Sequence, residues 1–261
     1  MKRFKSALFG GLIIGIGAFF FKANSSQYKT ASKQVYYEVP YRRDDTIRIA
    51  YIGDSWAFLH SKHQCVIDSI VNERTGFQTK VRSTGVNGMT SKSIYESLFR
   101  NESFRSIIKW GPTYCFIVAG INDVDFKLGE SFYVENMQLL IDFMLENKIT
   151  PIILEIPHYD IINSYDKRNI RQKLSVLVSM IITSSSMDCI DSYRAFFERN
   201  LKKVSERIIY VKEQEWSPLG YNDPRGIYLE DKMHLNNKGY MILDSCIASH
   251  ICKDIIMFYK R

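Results

Sequence analysis

Cysteine is what this 261-residue sequence has little of: five residues, an odd number, with no CxxC pair and no zinc-ligand spacing. That argues against both a disulfide framework and a structural metal. Cys115 lies in an apolar run and reads as core, while Cys246 and Cys252, six apart, fall on different faces of any helix that holds both. An excess of one charge is nearly missing as well. The formal net charge is +7, but Lys2, Arg3, Lys5 and Lys22 stand among the first 25 residues without a single acid, which leaves +3 for the rest. So small an excess argues against nucleic acid as a partner. No internal repeat or low-complexity tract competes with an ordinary globular reading.

Several catalytic signatures stop short of completion. The nucleophile elbow needs Gly-x-Ser-x-Gly, and Ala57 stands where its second glycine should be. A phosphate loop needs lysine directly after its second glycine, and the nearest lysine to Gly88 is Lys92. His60 and His63 can share one helix face, but no third ligand is near them in sequence, so they read as an exposed pair and no metal is expected.

What is present is a composition of 46% hydrophobic and 24% charged residues, ordinary for a globular chain, and a length that suits one α/β domain better than two. Residues 1–25 combine a basic start with the apolar run Ala7–Phe21, the length of a signal-peptide core and short of a full membrane span. A cleaved signal peptide and an uncleaved anchor with its basic side inward both fit, and both put the body of the protein outside the cytoplasm. Residues 26–45 are polar without sustained periodicity and read as a tether, so the domain is expected over 46–261.

Within that domain, strand-like apolar runs at Ile47–Ile52, Phe77–Val81, Tyr114–Ala119 and Pro151–Ile156, with weaker ones at Cys189–Ile190 and Ile208–Val211, alternate with helical stretches. The helical spacing falls at Gln64–Arg74, Ser91–Phe99, Phe132–Asn147, Lys167–Ile182 and Lys238–Phe258. Such alternation predicts a mostly parallel sheet covered on both faces, with the ligand crevice at the carboxyl ends of its strands.

Chemistry-bearing residues gather at those ends. Gly53-Asp54-Ser55 follows the first strand and delivers a serine hydroxyl there, although Gly-Asp-Ser also occurs in plain turns. Asp231-Lys232-Met233-His234 precedes the last helix. A serine hydroxyl needs a base near neutral pH, and a histidine with a carboxylate on its far nitrogen supplies one. The bland alternative is that Asp231 caps a helix and His234 lies exposed. Gly85-Val86-Asn87-Gly88 follows the second strand and Gly120-Ile121-Asn122-Asp123 the third. Their Gly88 N–H and Asn122 amide can be donors aimed at a developing oxyanion, or simple turn residues.

In order, spacing and strand context these four blocks resemble the SGNH/GDSL hydrolase family, over roughly Thr46 to the carboxyl end. Gly53-Asp54-Ser55 is similar to the family's first block, Gly88 to its second, Gly120-x-Asn122-Asp123 to its third and Asp231-x-x-His234 to its last. The departures are Trp56, where the consensus has leucine, and Gly85-Val86-Asn87-Gly88-Met89, where many members place asparagine or alanine before a glycine pair. The resemblance implies a three-layer α/β/α sandwich with a flavodoxin-like sheet. It further implies Ser55 as nucleophile, His234 as general base then acid, Asp231 orienting it, and Ser55 N–H, Gly88 N–H and Asn122 as oxyanion hole. No cofactor and no metal are implied.

The expected activity is that of a serine carboxylic-ester hydrolase with an acyl-Ser55 intermediate, removing acetyl or similar groups from a cell-envelope or extracellular carbohydrate. An O-acyltransferase using the same intermediate, a lysophospholipid-type esterase and a non-catalytic glycan-binding protein are the alternatives. Trp56, Tyr159, Trp216 and Tyr221 read as core or rim aromatics before sugar-stacking ones. The segment Trp216–Tyr228 reads as a loop beside the site, and His158 as a further pocket candidate or a solvated loop histidine.

Overall fold

The computed structural model describes residues 25–40, 45–201 and 207–259, so the run Ala7–Phe21 lies outside the described residues. Five strands form one parallel sheet in the order β2-β1-β3-β4-β5: β1 Thr46–Gly53, β2 Gln78–Gly85, β3 Tyr114–Val118, β4 Thr150–Leu154 and β5 Ile209–Val211. Every residue of β3 and all but the first of β1 are buried, as central strands covered on both faces require, and this is why they read as unbroken apolar runs.

Among the described residues, ten α-helices connect and cover the strands. They are α1 Ser55–His60, α2 Ile67–Thr75, α3 Ser91–Arg100, α4 Glu102–Lys109, α5 Ile121–Asp125, α6 Glu130–Glu146, α7 Ile161–Asp166, α8 Ile170–Thr183, α9 Ile190–Leu201 and α10 Asn237–Tyr259. The long α10 packs on α2, while α6 packs on α3 and α9, which gives helix, sheet and helix layers. Starts are marked by local capping: Thr90 and Ser93 form a reciprocal box at α3, and Asn169 and Gln172 form one at α8.

Two differences from the sequence expectations have clear causes. Cys189–Ile190 is no strand, because Ile190 opens α9 and buries with Tyr193 and Phe197 at intervals of three and four, a helical stripe. Residues 25–40, inside the stretch expected to be a tether, lie along the domain. Three of their backbone N–H groups donate to side chains of the domain: Ala31 to Asn136 Oδ1 at 3.0 Å, Gln34 to the Tyr95 hydroxyl at 2.9 Å and Val39 to Asn147 Oδ1 at 3.1 Å. Tyr36 and Tyr37 set their rings 5.1 and 5.4 Å from that of Phe143, edge to face.

If this segment belongs to the folded unit, Tyr36→Ala and Tyr37→Ala should each cost about 1–3 kcal/mol in chemical denaturation, the range of lost packing. A segment hanging free would give changes within about 0.5 kcal/mol.

Candidate active site

The chain leaves β1 toward β2 on one side and returns to β3 on the other, so the sheet's topological switch point lies between β1 and β3. In a parallel sheet this is where a crevice opens at the carboxyl ends of the strands. Ser55 is the first residue of α1, directly after β1. Asp54, fully buried, caps that helix by accepting the Trp56 N–H on Oδ1 at 3.0 Å. Gly85 at the end of β2 is what permits the approach: a Cβ there would stand 2.4 Å from the Asp54 carbonyl oxygen and 2.5 Å from the Phe58 nitrogen, both backbone atoms that cannot turn aside.

Asp231 and His234 sit in a tight turn closed by the antiparallel bridge between Tyr228 and Leu235. Within it the Leu229 N–H donates to the His234 carbonyl at 2.7 Å. Asp231 Oδ1 accepts the N–H groups of Met233 and His234, each at 2.9 Å, which turns Oδ2 onto the His234 ring. Oδ2 and Nδ1 are 2.6 Å apart. On the far side of the ring, Nε2 lies 2.8 Å from Ser55 Oγ. An ionised carboxylate only accepts, so Nδ1 carries the proton and Nε2 is free to accept from the serine hydroxyl. Burial pushes the Asp231 carboxyl up, but the hydrogen bonds from the His234 ring, His234 N–H and Met233 N–H outweigh it and hold the group below its ordinary value. The Tyr240 hydroxyl of α10 donates to the Trp56 carbonyl at 3.0 Å, joining the helix after the histidine to the helix of the serine.

The donors expected to receive an oxyanion are arranged unequally. Neither the Ser55 nor the Gly88 N–H has a partner among the described residues. Gly88 has a φ of +77° with open space where a Cβ would be, so its backbone is bare on that side. Asn122 instead donates from Nδ2 to the Met89 carbonyl at 2.9 Å and to Asp54 Oδ2 at 3.2 Å. Its amide reaches an oxyanion only by sharing the hydrogen aimed at Met89 or after the Met89 carbonyl swings away.

Asp54 and Asp123 are the site residues that sequence reasoning quoted without giving them work. Burial pushes the Asp54 carboxyl up to about 7, with the Trp56 N–H pulling it down and the nearby Asp123 pushing it further up. Burial likewise raises Asp123 to about 6 against three opposing bonds, from the Ser91 hydroxyl at 2.5 Å, the Ser91 N–H at 2.9 Å and its own backbone N–H. Their only sequence signal is a carboxylate next to the serine and another next to the asparagine.

The remaining candidates sit elsewhere. Trp56 and Trp216 are core residues, edge to face with centroids 6.0 Å apart, and Tyr159 is buried as well. Tyr221 and His158 line a small cavity of about 280 Å³. His158 pairs Nδ1 with Glu213 at 2.6 Å, and that bond raises its pKa. His60 is not exposed: it is 2% accessible, stacks on Tyr51 and bonds Asp244 at 2.9 Å. Its acidic partner is 184 positions away and invisible from local spacing. Cys65 lies beside that pair, where burial pushes its thiol far up, and all five cysteines are free. A larger cavity of about 990 Å³ has Thr90 and Met233 in its wall, neighbours of Met89 and His234.

No family model matches the sequence, and a search of curated proteins finds no match. Solved structures do match in fold. A GDSL-like lipase from Bacteroides thetaiotaomicron is 19% identical with a TM-score of 0.53, covering 86% of this chain and 93% of that one. An acetyl xylan esterase is 15% identical at 0.53, covering 78% and 100%. A lipase/acylhydrolase from Enterococcus faecalis is 16% identical at 0.50, covering 80% and 96%. The fold is that of the SGNH/GDSL hydrolases, a three-layer α/β/α sandwich around a parallel sheet.

The raised carboxyls give a pH signature. A buried acid whose pKa rises on folding binds its proton more tightly in the native state, so its contribution is present below the unfolded value of 3.8 and is lost as pH climbs toward about 7. Stability measured by denaturant should therefore carry a component that declines between those values, and Asp54→Asn should flatten it, leaving the share of Asp123. An unchanged slope in Asp54→Asn would show that Asp54 is charged throughout.

Proposed function

We propose that this protein is a serine carboxylic-ester hydrolase that works through an acyl-Ser55 intermediate. The observation that carries the reading is the unbroken line from Ser55 Oγ to His234 Nε2 at 2.8 Å and from His234 Nδ1 to Asp231 at 2.6 Å. Ser55 Oγ attacks the ester carbonyl as His234 Nε2 takes its proton. The N–H groups of Ser55 and Gly88, with the Asn122 amide once re-aimed, hold the oxyanion. Collapse breaks the bond to the alcohol, which leaves with the proton from His234. Water then enters by the same route in reverse: it gives a proton to His234, attacks the acyl carbon and releases the acid as Ser55 regains its hydrogen. Asp231 keeps the imidazole in the tautomer these steps need.

For substrate, we favour acetyl or similar small acyl groups on a cell-envelope or extracellular carbohydrate. The large cavity beside the site supports this, since Thr90, Ser93, Gln172 and Ser175 bring hydroxyls and an amide to its wall next to Phe126 and Phe132. The acetyl xylan esterase of the same fold acts on a substrate of that kind by its name. We also propose that residues 46–261 lie outside the cytoplasm, held or delivered there by residues 1–25.

On a chromogenic acetyl ester, Asn122→Ala should lower turnover by about a hundred- to a thousand-fold, and Ser55→Ala should abolish phosphonate labelling. Adding a sugar acceptor separates hydrolysis from acyl transfer by whether acid or a new ester accumulates. Near-normal turnover in folded Ser55→Ala ends the esterase reading. For location, protease added to intact spheroplasts should digest residues 46–261, and full protection would contradict the placement.

A further inference from the structure

The helix α8 is built the wrong way round for a helix of a globular domain. It is rich in aliphatic residues, yet of its fourteen residues only Val176 and Ser179 are buried. Ile170, Leu174, Leu177 and Ile181 are 79%, 57%, 41% and 68% exposed. Their spacing of four, three and four puts them within a narrow stripe on one side of the helix. The opposite side, with Gln172, Ser175, Val176 and Ser179, lines the large cavity. Single exposed aliphatics are ordinary on a protein surface; a whole stripe turned to solvent while small polar residues face inward is not.

We propose that the outer face of α8 docks on the surface of a lipid bilayer. Three observations select that occupant. The stripe is edged by cations: Arg171 and Lys173 flank it on either side, Lys173 with Asp166 at 3.8 Å, and Lys167 stands exposed just before the helix, while Ile170–Thr183 itself contains no acid. Aliphatic side chains bordered by cations on an acid-free helix match acyl chains beneath anionic headgroups. The chain enters the described structure on this same helix, since the Tyr28 hydroxyl bonds Ser179 Oγ at 2.7 Å. Upstream of that point the sequence carries the run Ala7–Phe21 with Lys2, Arg3 and Lys5 before it, a pattern suited to a membrane. Docking leaves α8 between the bilayer and the large cavity that its inner face lines, so the cavity lies one helix diameter, about 10 Å, from the membrane surface. The inference stands on surface chemistry and does not need the esterase reading.

The test uses the full chain reconstituted into phosphatidylcholine and phosphatidylglycerol vesicles, with lipids brominated on the acyl chains or not. Leu174→Trp and Ile181→Trp report the stripe, and Glu73→Trp on α2, an exposed position on the other side of the sheet, is the control. Thermal unfolding midpoints show that each variant is folded. Brominated lipid should reduce the added emission at 174 and 181 by about twofold or more and leave that at 73 unchanged, because bromine quenches only indoles in contact with acyl chains. Placing Leu174→Glu and Ile181→Glu around a Leu177→Trp reporter should restore its emission. Equal emission in the two lipids at 174 and 181 overturns the proposal, and so does shielding of the stripe by a second copy of the chain with no effect of bromine.

Discussion

The arrangement of the site rests on the burial of one carboxyl, Asp54. It stands at the end of β1, fully enclosed, and its two oxygens hold the Trp56 N–H of the serine helix and the Asn122 amide after β3. Its neighbour Asp123, equally enclosed, holds Ser91 at the start of α3, the helix that follows β2. Two acids thus tie together the loops after three adjacent strands. Taking such groups out of water is costly unless every lone pair finds a donor, and here the donors are the elements whose positions matter. The penalty emerges as raised pKa values, and the return is that Ser55, Gly88 and Asn122 are held by strand ends that cannot move independently.

Much of this was legible in sequence, for reasons that differ from part to part. Central parallel strands are covered on both faces, so β1 and β3 appear as continuous apolar runs. Long helices such as α6 and α10 show their period over several turns. The elements that escaped are short or locally weak: α1 and α5 have too few residues to show a period, and α9 begins at an apolar pair that resembles a strand. Residues 25–40 escaped because the rings of Phe99 and Phe143, which Tyr36 and Tyr37 meet, lie at least 60 positions away, and no local rule sees them.

The site was legible because its side chains come from four contiguous blocks, three at strand ends and one in the turn before α10, each with its own turn chemistry. What stayed hidden is the role of backbone. The Met89 carbonyl occupies the very amide of Asn122 that residue identity alone would assign to an oxyanion, and only a fold can bring a carbonyl there. Asp244 makes His60 a packed core residue in the same way, from the far end of the chain.

Helix polarity marks the limit of pattern reading most sharply. A stripe of aliphatic residues at helical spacing tells where a helix has an apolar side but not which way that side turns. In α6 it turns inward and nine residues bury against the sheet layer and neighbouring helices. In α8 it turns outward, and the helix faces the cavity beneath with Gln172, Ser175 and Ser179 beside Val176. An aliphatic wall on that cavity would favour its collapse, whereas Gln172, Ser175 and Ser179 let water or a polar ligand occupy it. The inverted helix and the open cavity are therefore one feature. With those polar residues turned toward the cavity, the aliphatic side of α8 faces outward, where the described residues leave it uncovered.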